Sequence, residues 1–241
     1  MKKVIVIPAR YASTRLPGKP LIEINGRSLI QRVFEVAQSS MLKDAVYIAT
    51  DDDRIKDRAI SFGAEVIMTG SNCSSGTERV YEALKGRQAD IIINLQGDEP
   101  FMRPEMIDML FAEMERHRHD MTTLCSLIKD EKEYQGPDTV KVVLDKEGFA
   151  LYFSRSAIPY LRNKSGLQNP VYKHIGIYAY TRDFLGRYIQ MEKGVLEEAE
   201  SLEQLRVLEN GYKIKVLVTE YDGFGIDTEA DLKRAEKFLS R

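Results

Sequence analysis

Within ten residues the chain sets three cations, Arg10, Arg15 and Lys19, with Ser13, Thr14 and Gly18 among them. They follow the short apolar run 4–7, which ends at Pro8, and Pro17 and Pro20 stiffen the segment by fixing φ. A loop of this kind can cradle a polyanion, the triphosphate of a nucleotide above all. One phosphate charge ~4 Å from a guanidinium gains roughly 4 kcal/mol at an effective dielectric of 20. Three such contacts would outweigh the cost of crowding three cations together. The loop is not a P-loop, because Gly18-Lys19 is followed by Pro20, and it is not G-x-G-x-x-G. A solvated turn whose arginines pair with surface acids is the plainer reading of the same residues.

The second chemistry-bearing segment is N-L-Q-G-D-E-P at 94–100. Gly97 permits a sharp turn or a close backbone approach. Asp98 and Glu99 then sit at the mouth of a strand, where a hard oxygen ligand suits Mg²⁺. The less favoured reading is that they offset the dipole of the next helix. Asp227, in G-I-D-T-E, reads either as a second carboxylate for the metal or as the N-cap of the last helix. The run Ser75-Gly76-Thr77-Glu78-Arg79 could hold a base or ribose on backbone groups with Arg79 toward phosphate, or could be an ordinary glycine turn with Thr77 as helix cap. Further on, Arg155, Lys173, His174 and Tyr178 cluster among strand-like segments, which suits an acidic sugar. The chain suggests no nucleophilic serine or cysteine dyad. Phosphoryl and nucleotidyl transfer need mainly positioning and charge stabilisation from the protein.

The elements that must position these groups alternate. Strands are expected at 4–7, 45–50, 65–69 and 90–95, and helices from Ser28, from 51–53, over 77–85 and over 104–118. Ser28 and Gln31 have the spacing of a capping box. This rhythm implies a mostly parallel, twisted, Rossmann-like sheet with right-handed crossovers. Ligands of such sheets bind beyond the carboxyl ends of the strands. The rhythm then changes. Segments 139–145, 149–154 and 174–180 are strand-like, the first two forming a hairpin around Lys146-Glu147-Gly148. Helices are expected at 182–191, 196–208 and 229–239, and a last strand at 213–218. Residues 163–170 read as an exposed loop. The whole is one α/β domain over 1–241, with a β-rich insertion at about 135–180 that could cover the site or make a dimer contact.

The chain has 241 residues, 43% of them hydrophobic and 30% charged, with a net charge of −2. One substantial core is possible at this length. The charge argues against nucleic acid as a partner. No apolar run approaches the ~18 residues of a membrane span. Cys73 and Cys125 are far apart and read as free thiols of a cytoplasmic protein.

Taken together, the segments I-P-A-R-Y-A-S-T-R-L-P-G-K-P-L, A-T-D-D, S-G-T-E-R, N-L-Q-G-D-E-P, V-K-V-V-L-D, A-L-Y-F-S-R, K-H-I-G-I-Y-A-Y, L-E-Q-L-R-V-L-E-N-G and the closing D-T run in order over about residues 4–232. In this the chain resembles the 3-deoxy-manno-octulosonate (Kdo) cytidylyltransferase family. Related sugar-1-phosphate enzymes carry a glycine-rich first loop where Ala9 and Ala12 stand here. Sialic acid activators share I-P-A-R but are not expected to carry F-S-R and L-E-Q-L-R in this form. The resemblance implies an α/β fold of the nucleotide-diphospho-sugar transferase type and a homodimer. It implies that CTP and a Kdo-type sugar acid give CMP-Kdo and pyrophosphate for lipopolysaccharide synthesis. By similarity, Arg10, Arg15 and Lys19 hold the triphosphate, with Lys19 on the leaving pyrophosphate. Gly76, Thr77, Arg79 and Gln96 line the CTP site. Asp98 and Asp227 hold Mg²⁺, which resolves the alternative at Asp227 in favour of metal. Arg155, His174, Tyr178, Glu203 and Gln204 grip the sugar. The segment P-V-Y-K-H-I-G-I-Y-A-Y-T is also similar to the branch that activates the 8-amino sugar, which stays the close alternative.

Overall fold

A computed structural model describes residues 1–12, 16–162, 170–221 and 223–239. Arg15, and residues 163–169 of the expected loop at 163–170, lie outside the described residues.

β1 (Lys3–Ala9) is followed by a small hairpin, β2 (Glu23–Ile24) and β3 (Arg27–Ser28), and by α1 (Leu29–Ser39). Then come β4 (Ala45–Thr50), α2 (Asp53–Ser61), β5 (Glu65–Met68), α3 (Gly76–Ala83), β6 (Ile91–Leu95) and α4 (Pro104–His117). The second half holds β7 (Met121–Leu127), α5 (Glu131–Gln135), β8 (Lys141–Leu144), β9 (Ala150–Ser154) and β10 (Tyr172–Thr181). It closes with α6 (Arg182–Gln190), α7 (Val195–Glu200), α8 (Leu205–Glu209), β11 (Ile214–Val218) and α9 (Glu229–Leu239).

Strand order in the central sheet is β11-β7-β10-β6-β1-β4-β5. The pairs β1–β4, β1–β6, β4–β5 and β7–β11 are parallel, and β10 runs antiparallel to both β6 and β7. The sheet is therefore mostly parallel, as the β-α-β rhythm requires. β10 lies within it, so the end of the 135–180 segment is no peripheral lobe. Only the β8–β9 hairpin stands off the main path, paired to β10 at Tyr172 and Lys173.

Both faces of the sheet are covered, which explains the unbroken apolar runs. Ile5 and Ile7 of β1 face α1, α2 and α4, whose Ile30, Val33, Phe34, Ile55, Ile107 and Phe111 are buried with them. Val4 and Val6 face the other way, toward Val80, Phe184, Leu205 and Val207 of α3, α6 and α8.

Several local expectations need correction. Ser28 is the N-cap of α1 but makes no capping hydrogen bond, and the Gln31 amide donates instead to Glu35 on its own helix. Ser75, not Thr77, caps α3, accepting from the Glu78 N–H. The helix expected over 196–208 is two helices, α7 and α8. Ser201 breaks it in the left-handed region at φ 52°, leaving Glu203 and Gln204 in the turn between them. Across that break Arg206 grips Glu197 with two 2.6 Å bonds. β7 had no counterpart in the sequence reading: M-T-T-L-C-S-L has neither clean alternation nor an aliphatic run, yet all of it but Leu127 is buried.

Candidate active site

At the carboxyl edge of the sheet the ends of β1 and β6, the Lys19 segment, the start of α3 with the turn before it, and Asp227 surround a cleft of about 250 Å³. Pro8, Arg10, Lys19, Ser75, Gly76, Arg79, Gln96, Gly97, Asp98 and Asp227 are among its lining. Close backbone approach makes this possible. A Cβ on Gly97 would stand 3.0 Å from the Pro8 carbonyl oxygen, so β1 and β6 can meet this tightly only at glycine. Gly18 takes φ 68° just ahead of Lys19 and lets the basic loop turn back into the cleft.

The Lys19 ammonium donates to Asp98 Oδ2 at 2.7 Å and to Asp227 Oδ1 at 2.9 Å. Burial opposes its charge, but the two carboxylates more than offset that, and its pKa stands above the usual lysine value. Packing and backbone bonds hold the trio together. The Ile226 N–H donates to the Asp98 carbonyl at 2.9 Å, tying the two acidic loops side by side. Leu16 and Ile226, close in sequence to Lys19 and Asp227, bury in one cluster with Ile24, Leu29 and Ala235. Asp227 is not the cap of α9. The Thr228 hydroxyl accepts from the Asp231 N–H at 3.3 Å, and the Asp231 carboxylate accepts from the N–H groups of Asp227 and Thr228. The Asp227 side chain is thereby released to the cleft.

Arg10 is exposed on the cleft rim and, among the described residues, has no ion-pair partner. Arg79 is nearly fully buried and donates to Thr69 Oγ1 at 2.6 Å and Asp51 Oδ2 at 3.1 Å. Its guanidinium is thus engaged with the ends of β4 and β5 and lines the cleft wall.

Four of the five residues assigned to the sugar belong to a second group beside the cleft. Tyr178 OH donates to Gln204 Oε1 at 3.2 Å, and His174 lies against Tyr178 with ring centroids 5.3 Å apart. Thr77 Oγ1 donates to Glu203 Oε1 at 2.8 Å. Among the described residues the buried Gln204 Nε2 has no hydrogen-bond partner, an orphan donor of the kind that a ligand satisfies. Enclosure by Phe153, Tyr178 and Thr123 pushes the His174 pKa down to about 3, so the ring is neutral at pH 7. Burial likewise raises the Glu203 pKa, against the Thr77 bond that lowers it. Arg155 does not join these four. It donates through Nε to the Glu200 carbonyl at 2.8 Å and through its backbone N–H to the Glu200 carboxylate at 2.9 Å. Lys173 points elsewhere too, to Glu133 at 2.6 Å.

Beside the expected candidates, which include Glu99, the structure brings in Asn94, fully buried in β6. Glu99 accepts from Tyr221 OH at 2.9 Å. Burial and the charge of Asp98 push its pKa up to about 8. The available signal for Asn94 was a polar residue inside an aliphatic strand.

A model of the cytidylyltransferase family matches residues 4–214. The chain belongs to the cytidylyltransferase family. It is 49% identical to a 3-deoxy-manno-octulosonate cytidylyltransferase of Thermodesulfovibrio yellowstonii, covering 100% of this chain and 99% of that one. It is 50% identical to an 8-amino-3,8-dideoxy-manno-octulosonate cytidylyltransferase of Shewanella pealeana, with the same coverage. A solved structure of CMP:2-keto-3-deoxy-manno-octonic acid synthetase complexed with CTP superposes with a TM-score of 0.94 at 44% identity, covering 100% of this chain and 99% of that one. No helix among the described residues is long and apolar enough to cross a membrane.

Proposed function

We propose that this cytidylyltransferase-family chain transfers CMP from CTP to the C2 hydroxyl of 3-deoxy-manno-octulosonate, releasing pyrophosphate. The observation that carries the reading is the convergence of Asp98, Asp227 and Lys19 in one cleft, next to the polar group built on Tyr178, Glu203 and Gln204.

The donor set fits Mg²⁺. Two hard carboxylate oxygens already share one cation, the Lys19 ammonium. Mg²⁺ takes one or two carboxylates and completes its shell with phosphate oxygens and water. Asp98 and Asp227 would hold it, and when bound it would neutralise triphosphate charge and ease loss of the C2 hydroxyl proton. The chain's own groups do the rest. Arg10 and Lys19 bring positive charge to the triphosphate, where charge grows as pyrophosphate leaves. The N-terminus of α3 at Gly76 presents backbone N–H groups to the same anion. Glu203 and the free Gln204 amide offer an acceptor and a donor to sugar hydroxyls.

Purified protein with CTP, Mg²⁺ and Kdo should release pyrophosphate. Asp98→Ala should lower turnover by more than ~100-fold, about 2.7 kcal/mol of lost transition-state stabilisation. Unaltered turnover in that variant would remove Asp98 from the metal role. The 8-amino sugar is the second reading, favoured by the relative of that name at 50% identity. Rates with the two sugars side by side decide between them. A homodimer belongs to the same proposal, and sedimentation equilibrium of the purified chain checks it.

A further inference from the structure

Asn94 is fully buried in β6, on the face that also carries Ile92. Its register neighbours are Val6 on β1 and Tyr178 on β10. A primary amide in such a layer is costly unless its hydrogen bonds are made. Here both ends are used. Asn94 Oδ1 accepts from Gln96 Nε2 at 3.1 Å, and Asn94 Nδ2 donates to Thr77 Oγ1 at 3.2 Å. The Thr77 hydroxyl in turn donates to Glu203 Oε1 at 2.8 Å. The chain of bonds runs one way, Gln96 to Asn94 to Thr77 to Glu203. It starts in the nucleotide cleft and ends at the acid of the acceptor side.

The polarity follows from the chemistry of each group. A carboxylate only accepts, so Thr77 must give it the proton. That leaves the Thr77 oxygen to accept, which requires the NH₂ end of Asn94. The Asn94 carbonyl then faces Gln96 and takes its NH₂, which turns the Gln96 carbonyl away from Asn94. Gln96 Oε1 lies toward Gly76, 3.4 Å from where a Cβ there would stand.

We infer that Asn94 is a positioning residue: it fixes the Gln96 amide in the nucleotide half of the site and, through Thr77, the Glu203 carboxylate in the acceptor half, so that the two halves share one hydrogen-bonded support. The inference rests on the cytidylyltransfer reading for its kinetic readout but not for its structural one. Asn94 itself touches neither substrate. One Glu203 oxygen is committed to Thr77, which leaves the other for a hydroxyl-bearing acid.

The test uses four full-length proteins: wild type, Asn94→Asp, Glu203→Gln and the double variant. An aspartate at 94 accepts from both Gln96 and Thr77, so the Thr77 hydroxyl turns away from Glu203. Asn94→Asp should raise the acceptor KM about tenfold or more, while the calorimetric Kd for CTP with Mg²⁺ changes less than about threefold. Glu203→Gln added to Asn94→Asp restores an unbroken chain in which both ends donate toward position 94, since the new amide donates to Thr77 and Gln96 still donates to the aspartate. The double variant should therefore be no more impaired in acceptor KM than the worse single variant. Urea unfolding of the same four proteins should show the same non-additivity. Additive effects in both cycles would overturn the inference, as would an unchanged acceptor KM in Asn94→Asp. Equal losses in CTP and acceptor binding, tracking lowered stability, would reduce Asn94 to a structural residue and overturn it too. Should wild type turn over neither sugar, the function proposed above fails, while the unfolding cycle still tests the support on its own.

Discussion

Lys19 occupies the position that a divalent cation would compete for. Its ammonium lies within 3 Å of both Asp98 and Asp227, and the three groups together carry one net negative charge. Without nucleotide, a metal entering between the carboxylates must displace that ammonium. Removing it should therefore strengthen metal binding to the bare protein while abolishing its use. In Lys19→Met, Mg²⁺ alone should raise the melting temperature more than it does in wild type, and CTP turnover should fall by at least ~100-fold. A smaller Mg²⁺ shift in the variant, read by scanning fluorimetry without nucleotide, would contradict the shared position. The residues of this trio were readable because each sits in a short segment whose chemistry is local: cations between prolines, acids after a glycine. Their convergence was not readable. Lys19 and Asp227 are 208 positions apart, and either acid had an ordinary helix-end explanation.

That ambiguity is resolved by the helix end itself. Thr228 and Asp231 cap α9 reciprocally, and the Asp231 carboxylate holds the Asp227 N–H at 3.1 Å. The cap thus also sets the backbone from which Asp227 reaches Lys19. Thr228→Ala should cost about 1 kcal/mol of stability, the usual loss for an N-cap hydroxyl. It should also lower turnover, and Thr228→Ser should restore both. Turnover that survives in Thr228→Ala despite the lost stability would uncouple the cap from the site. Elements with strong periodicity, such as α4, α6 and α9, could be read within a residue or two at either end. Those whose limits depend on tertiary contacts could not. The break at Ser201 exists because Arg206 and Glu197 pair across it, and Glu209 takes the Leu196 and Glu197 N–H groups at the start of α7. β7 is a strand because β10 and β11 flank it on both sides.

At the scale of the whole molecule, placing β10 beside β6 packs an aromatic column, His174, Tyr178, Tyr180 and Tyr188, against the acceptor side of the site. Thr123 of β7 plugs the irregularity in β10, donating to the Ile177 carbonyl at 2.6 Å and standing 3.0 Å from His174 Nε2. Among the described residues no carboxylate is bonded to the ring, and burial holds His174 neutral in the folded state down to about pH 3. The unfolded chain protonates it near 6.5. Between those values the unfolded state binds the extra proton, so stability from this residue is complete above about pH 6.5 and is lost as pH falls. Glu99, with its pKa pushed up to about 8, and Glu203, also raised, act in the opposite sense. Folding favours their protonated forms, so they stabilise on acidification and lose that contribution as pH rises. The wild-type profile mixes the two trends, and a variant separates them. The stability difference between wild type and His174→Asn should shrink by up to about 1.4 kcal/mol per pH unit between pH 6.5 and 5, the slope of one proton. Urea unfolding at half-unit steps measures it. A difference that stays constant over that range would mean that His174 titrates normally in the fold, and that the column of rings does not exclude water from it.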